Sequence, residues 1–149
     1  MAVLSGGAKL EAYLQELSQL VKEPGELKVG FMGGKTYPNG VKVSHVAIWQ
    51  EFGWDEFNVR FPPRPFFRWS IAKNEKVWMR LLGEFLKHYK YKSKPALEEL
   101  AEIMKNDIRQ YIVDMVSPEL APATIAKKGH DKLLIDTGLM LDSVDSEVS

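Results

Sequence analysis

Cysteine is absent from the 149 residues. No disulfide, thiolate nucleophile, iron–sulfur cluster or cysteine-ligated zinc can be built from such a chain, and a reducing compartment suits it. An excess of charge is missing as well: Lys plus Arg number 20, Asp plus Glu number 20, and the formal net charge is zero. Proteins that live on DNA or anionic lipid normally carry a basic surplus, so the balance does not announce a polyanion as partner. Nowhere do 18 apolar residues run together, which leaves no candidate for a membrane-spanning helix. The stretch Met1 to Ala8 has neither a basic n-region nor an apolar h-region. The expectation is therefore a soluble chain without a signal peptide, made inside a cell. His45, His88 and His130 stand alone, with no second histidine within four residues, so no metal site is expected. The glycine-framed serine of the hydrolases, the phosphate-binding loop and the dinucleotide fingerprint are all missing. No cofactor is expected either.

What remains is an ordinary globular balance, 45% apolar and 27% charged, which argues against disorder. The length sets the expectation of one domain over 1–149. Folding should bury about 68–70% of the surface exposed by the unfolded chain.

Leu10, Leu14, Leu17 and Val21, with Tyr13 and Leu20 beside them, form one apolar stripe and predict a helix over 8–22, stopped by Pro24 and Gly25. Leu27, Val29 and Phe31 alternate with Lys28 and Gly30 as a short half-buried strand. Gly33–Gly34 and Pro38–Asn39–Gly40 bracket an open hairpin or exposed loop. The run from Ser44 to Phe52 predicts a helix with Ser44 as N-cap and Gly53 just past its end. From 54 to 67 the expectation is an irregular, extended segment, because Pro62, Pro63 and Pro65 neither continue a helix nor sit in a central strand. A helix then runs to about His88, with a break near Asn74 and an apolar face of Val77, Leu81, Leu82, Phe85 and Leu86. The strongest periodicity follows, over 95–116: Leu97, Leu100, Ala101, Met104, Ile108, Tyr111, Ile112 and Met115 step by threes and fours. Residues 117–149 read as a docking segment. It holds a short helix from Pro122 to Lys128, a turn at Asp136, Thr137 and Gly138 that caps a helical turn through Asp142, and an edge strand from Val144 to Val148. The class is α+β, a small antiparallel sheet packed with several helices and an extended Pro-rich arm.

Three stretches carry candidate chemistry. Leu134, Ile135, Asp136, Thr137 and Gly138 match the Asp-Thr-Gly of aspartic proteases, in which two aspartates share one proton. One copy in a short chain would require a retroviral-type homodimer. Against this, only a few residues follow the motif, Leu139 stands where a small residue is usual, and a long helix does not belong in an all-β barrel. A capping turn is the simpler reading. Lys87, Lys90, Lys92 and Lys94 interleave with Tyr89 and Tyr91, a pattern that can hold single-stranded nucleic acid by charge and stacking, though a solvated inter-helix connection explains it too. The centre is densest in aromatics: Trp49, Phe52, Trp54, Phe57, Phe61, Phe66, Phe67 and Trp69, interleaved with Arg60, Arg64 and Arg68. Aromatic and arginine side chains beside stiff extended backbone are the stuff of protein–protein contacts, so composition favours an interaction protein over an enzyme.

The run from Val46 through Glu51, Phe52 and Gly53, followed by Pro62, Pro63, Arg64, Pro65, Phe66, Phe67 and Arg68, resembles the central signature of small tail-completion and virion-morphogenesis proteins of tailed bacteriophages. In that family a helix ending in Glu-Phe-Gly precedes a Pro-Pro-Arg-Pro-Phe connector into the next helix. The stretch from Leu120 to Gly129, and then from Asp131 through Asp136, Thr137 and Gly138 to Val144, is similar to the family's ending. The two blocks cover about 50 residues in the family's order; Leu133 departs from a common proline and Ala121 from a common serine. The resemblance implies a non-enzymatic structural protein of the virion, assembled in the host bacterial cytoplasm and placed in the neck or tail. It implies a ring of the chain with itself, expected as a hexamer, at the head-proximal end of the tail. Such a tail terminator joins the tail tube to the head–tail connector, and DNA passes through the lumen without sequence-specific binding and without any membrane. A head-completion or connector protein is the alternative within the family; an aspartic protease using Asp136 is the alternative of another class. Trp49, Glu51, Phe52, Gly53, Pro63, Arg64, Pro65, Phe66 and Phe67 are the expected subunit-contact residues. No catalytic residue carries over.

Overall fold

Two long helices laid side by side carry the core of the computed structural model, which describes residues 6–21, 25–56, 59–115 and 138–149. In chain order the elements are α1 (Gly7–Val21), β1 (Leu27–Gly30), α2 (Val43–Phe52), β2 (Trp54–Glu56), β3 (Val59–Phe61), α3 (Phe66–His88), α4 (Ser93–Asp114), α5 (Leu139–Asp142) and β4 (Asp145–Val148). The class is α+β, as expected from the alternation of periods.

Helix α4 buries Ala96, Leu97, Leu100, Ala101, Ile108 and Ile112, residues spaced at threes, fours and sevens on one face. Against it α3 buries Phe66, Ser70 and Trp78, and Trp78 Nε1 donates to Asp107 Oδ2 of α4 at 2.7 Å. Val77, assigned to the buried face by its sequence, is instead exposed. The frame that faces α4 is set by Phe66, Ser70 and Trp78, and this turns Val77 outward. Nor does α3 break at Asn74, whose amide folds back to donate to the Ser70 carbonyl at 3.0 Å. The turn between the two helices holds Lys90 and Tyr91 at φ 52° and 62°, and Tyr89 donates to Glu99 Oε2 at 2.7 Å. That bond to Glu99, with burial second, raises the Tyr89 pKa above its ordinary value. The Lys/Tyr run is thus an inter-helix turn.

The sheet that covers α4 joins the first strand of the described chain to its last. Strand β1 pairs antiparallel with β4, Leu27 opposite Val148 and Gly30 opposite Asp145, and Glu26 and Ser149 exchange both backbone hydrogen bonds at 2.8 and 3.0 Å. Leu27 and Val29 turn inward while Lys28 faces water, the alternation expected of a half-buried strand. Arg109 of α4 donates to the Val144 carbonyl at 2.6 Å and so ties the end of the chain to the core.

Two further local expectations are corrected. Residues 54–61 are not an irregular arm: β2 and β3 form a second antiparallel pair, Trp54 opposite Phe61 and Glu56 opposite Val59, because cross-strand aromatic packing outweighs the turn-rich composition. Only 62–65 is extended connector. Helix α2 begins one residue earlier than Ser44, and Lys42 takes the N-cap position with no side-chain bond. At the end of the chain α5 is capped by Gly138, in the left-handed region at φ 80°. Asp136, Thr137 and the segment from Pro122 to Lys128 lie outside the described residues.

Candidate functional site

Gly53 ends α2 at φ 76°, a conformation that favours glycine. Space demands it too, since a Cβ there would lie 2.8 Å from the Phe61 carbonyl oxygen and 2.9 Å from the Pro63 nitrogen. The sharp exit sends the chain through the β2–β3 pair and back, so that Arg64 N–H donates to the Gln50 carbonyl at 2.6 Å. Pro65 then occupies the N-cap position of α3, where a missing side-chain cap would leave the first amides without acceptors.

Glu51 supplies them from α2. Its carboxylate accepts the Phe67 N–H at 3.0 Å and the Arg68 N–H at 3.3 Å, and Arg68 Nε at 2.6 Å. A buried carboxylate on a helix N-terminus gains from the helix dipole as well as from the charge-assisted bonds. The Arg68 guanidinium in turn lies 4.9 Å above the Phe52 ring. Arg64 is buried, with Nη1 donating to Gln50 Oε1 at 3.1 Å. Its Nε finds no partner among the described residues, and burial lowers its pKa. Glu51, Gly53, Arg64, Phe67 and Arg68 therefore lock α2 and α3 into one corner.

The corner exposes two apolar features. On one side is a row of rings: His45 lies 6.5 Å from Trp49, Trp49 6.0 Å from Trp54 and Trp54 5.9 Å from Phe61, the last two pairs near-parallel at 26° and 20°. Trp49 and Phe61 keep 42% and 45% of their surface in water. On the other side α2, α3 and β1 enclose a groove of about 340 Å³. Its floor is Gly30, Ala47 and Phe66, its walls Phe31, Phe67, Ile48 and Phe52, the last two 53% and 63% exposed.

The nine expected contact residues thus come together but divide into two roles. Trp49, Phe52 and Pro63 reach the surface. Glu51 and Arg64 are buried braces, and Phe66, 1% exposed, is core: it packs edge-on to Phe31 at 6.0 Å and forms the floor of the groove without projecting from the surface. Sequence reasoning missed Ile48 and the role of the Glu51 carboxylate as acceptor for the Phe67 and Arg68 N–H groups. Ser44, Ala47, Ile48, Glu51 and Phe52 recur at the i, i+3, i+4, i+7, i+8 spacing of one helix face, a readable signal for the groove wall.

No protein-family model, no curated protein and no solved structure matches the chain.

Proposed function

We propose that this chain is a structural subunit of a tailed-bacteriophage virion, a tail terminator that closes into a ring at the head-proximal end of the tail and offers a face to the head–tail connector. The observation that supports the reading is the corner built by Glu51. The residues of the first block of the resemblance, 46–53 and 62–68, are tied together by Glu51 so that Phe66 is held inside while Trp49 and Phe52 face outward, with the exposed Phe61 beside them. Exposed large aromatics on a braced scaffold lose little entropy on binding and dominate contact energy. The β1–β4 pair adds support, because each of its strands has a single strand neighbour among the described residues, leaving backbone edges that a second chain can extend. The proposed role is mechanical: no side chain acts on a substrate, and DNA threads the lumen.

Light scattering on a sizing column, with negative-stain images of the same peak, tests the reading. A closed ring of about six copies is expected, alone or on purified tails. A chain that stays monomeric both alone and with tails overturns it, and a strict dimer moves attention to the Asp136 protease and an acid-pH peptidase assay.

A further inference from the structure

Helix α1 is amphipathic and the first half of its apolar face is uncovered, with Leu17 and Leu20 half-buried. Leu10, Tyr13 and Leu14 keep 59%, 51% and 55% of their surface in water, and no other described element packs extensively against the helix. Fifteen residues are marginal as a free helix in water, so a face like this is stabilised by what it packs on. The same chain carries the complementary shape, the groove between α2, α3 and β1, which α1 does not occupy.

We infer that α1 of one copy lies in the α2–α3 groove of the next, with Leu10, Tyr13, Leu14 and Leu17 as the i, i+3, i+4, i+7 anchors of a helix-in-groove contact. Charge does not oppose the match. The one cation lining the groove is Arg68, its side chain 57% exposed and already paired with the buried Glu51 at 2.6 Å, so the lining carries no net charge and suits an apolar ridge flanked by charges. Helix α1 carries Glu11 on one flank of its stripe and Glu16 on the other, against the single cation Lys9. The ridge and the groove are different surfaces of one chain, so their union is head-to-tail. Repeated around an axis, such a contact closes a ring or, failing closure, grows a filament. The inference deepens the ring reading and depends on it for closure, not for the contact.

The absence of cysteine makes the test clean. Leu14→Cys and Ile48→Cys replace exposed side chains, so both variants should fold. Under mild oxidation the L14C/I48C double variant is expected to give a ladder of covalent multimers on a non-reducing denaturing gel, ending at the ring's copy number. An equimolar mixture of the two single variants should give a covalent dimer at least tenfold above either single variant. Met79→Cys, on the 70% exposed Met79 of α3, should not cross-link to Leu14→Cys. Dimers from Leu14→Cys alone as abundant as in the mixture would mean that α1 pairs with α1, and would overturn the inference. So would a cross-link within one chain, with α1 folded into its own groove, or no cross-link at all, with α1 covered by another protein. A wild-type ring without the ladder sinks this contact and leaves the ring reading standing. A ladder from the double variant, when the wild-type chain never closes into a ring, does the reverse.

Discussion

Glu51 illustrates how one buried carboxylate can hold two helices. It stands 16 residues before the amide it caps. Glu51→Gln keeps one acceptor oxygen, but loses the charge that Arg68 meets at 2.6 Å and turns an amide donor toward other donors. Stability should fall by about 1–3 kcal/mol, read as a lower urea midpoint at unchanged slope; a change below about 0.5 kcal/mol would show that water already serves these amides. Gly53 belongs to the same corner, and its need for glycine was readable as a helix stop. That the Glu before it caps another helix was not, because nothing local ties residue 51 to residue 67.

Between α3 and α4 the chain reverses through two consecutive non-glycine residues in the left-handed region, Lys90 and Tyr91. Each such residue costs roughly 1 kcal/mol or more against a glycine in the same place. Lys90→Gly should therefore stabilise the protein by about 0.5–1 kcal/mol after the added freedom of the unfolded chain is subtracted. The melting temperature should rise by about 1–4 °C, measurable by calorimetry, and a fall would mean that the Lys90 side chain itself is an anchor. The helices on either side were legible in advance: six of the eight apolar residues counted in 95–116 are buried and the other two, Met104 and Tyr111, pack against them. The β2–β3 pair was not. Its strands are three residues each, too short for an alternation to register, and what aligns them is Trp54 meeting Phe61 across the pair.

The molecule is closed by a strand pair that brings Leu27 to Val148, so its first strand depends on its last five residues. Removing 145–149 takes away β4 and the paired bonds between Glu26 and Ser149, while Leu27 and Val29 lose the neighbour that shields them. At about 0.5–1.5 kcal/mol net for each lost hydrogen bond, the truncated chain should lose about 3 kcal/mol, a large share of a domain's 5–15. Thermal melting followed by circular dichroism checks this; an unchanged midpoint would mean that β1 is held by α4 alone. Because Val144 stays in the truncated chain, its bond from Arg109 serves as an internal control.

Periodicity settled for most residues which face they share, Val77 being the exception. From it came the four long helices, the half-buried strand β1, the edge strand β4 and the α+β class, since burial imposes a repeat of 3.6 or 2 on the order of residues. It could not say what covers each face. Leu10 and Leu14 read as core and stand in water; Phe66 and Phe67 read alike as surface anchors, yet one is sealed beneath Phe31 and the other lines the groove wall. Those outcomes follow from contacts between segments far apart in the chain, Glu51 with Phe67 and Arg68, Trp78 with Asp107, Arg109 with Val144. A local pattern carries the cost of leaving a side chain exposed, but the partner that removes the cost is supplied by the fold.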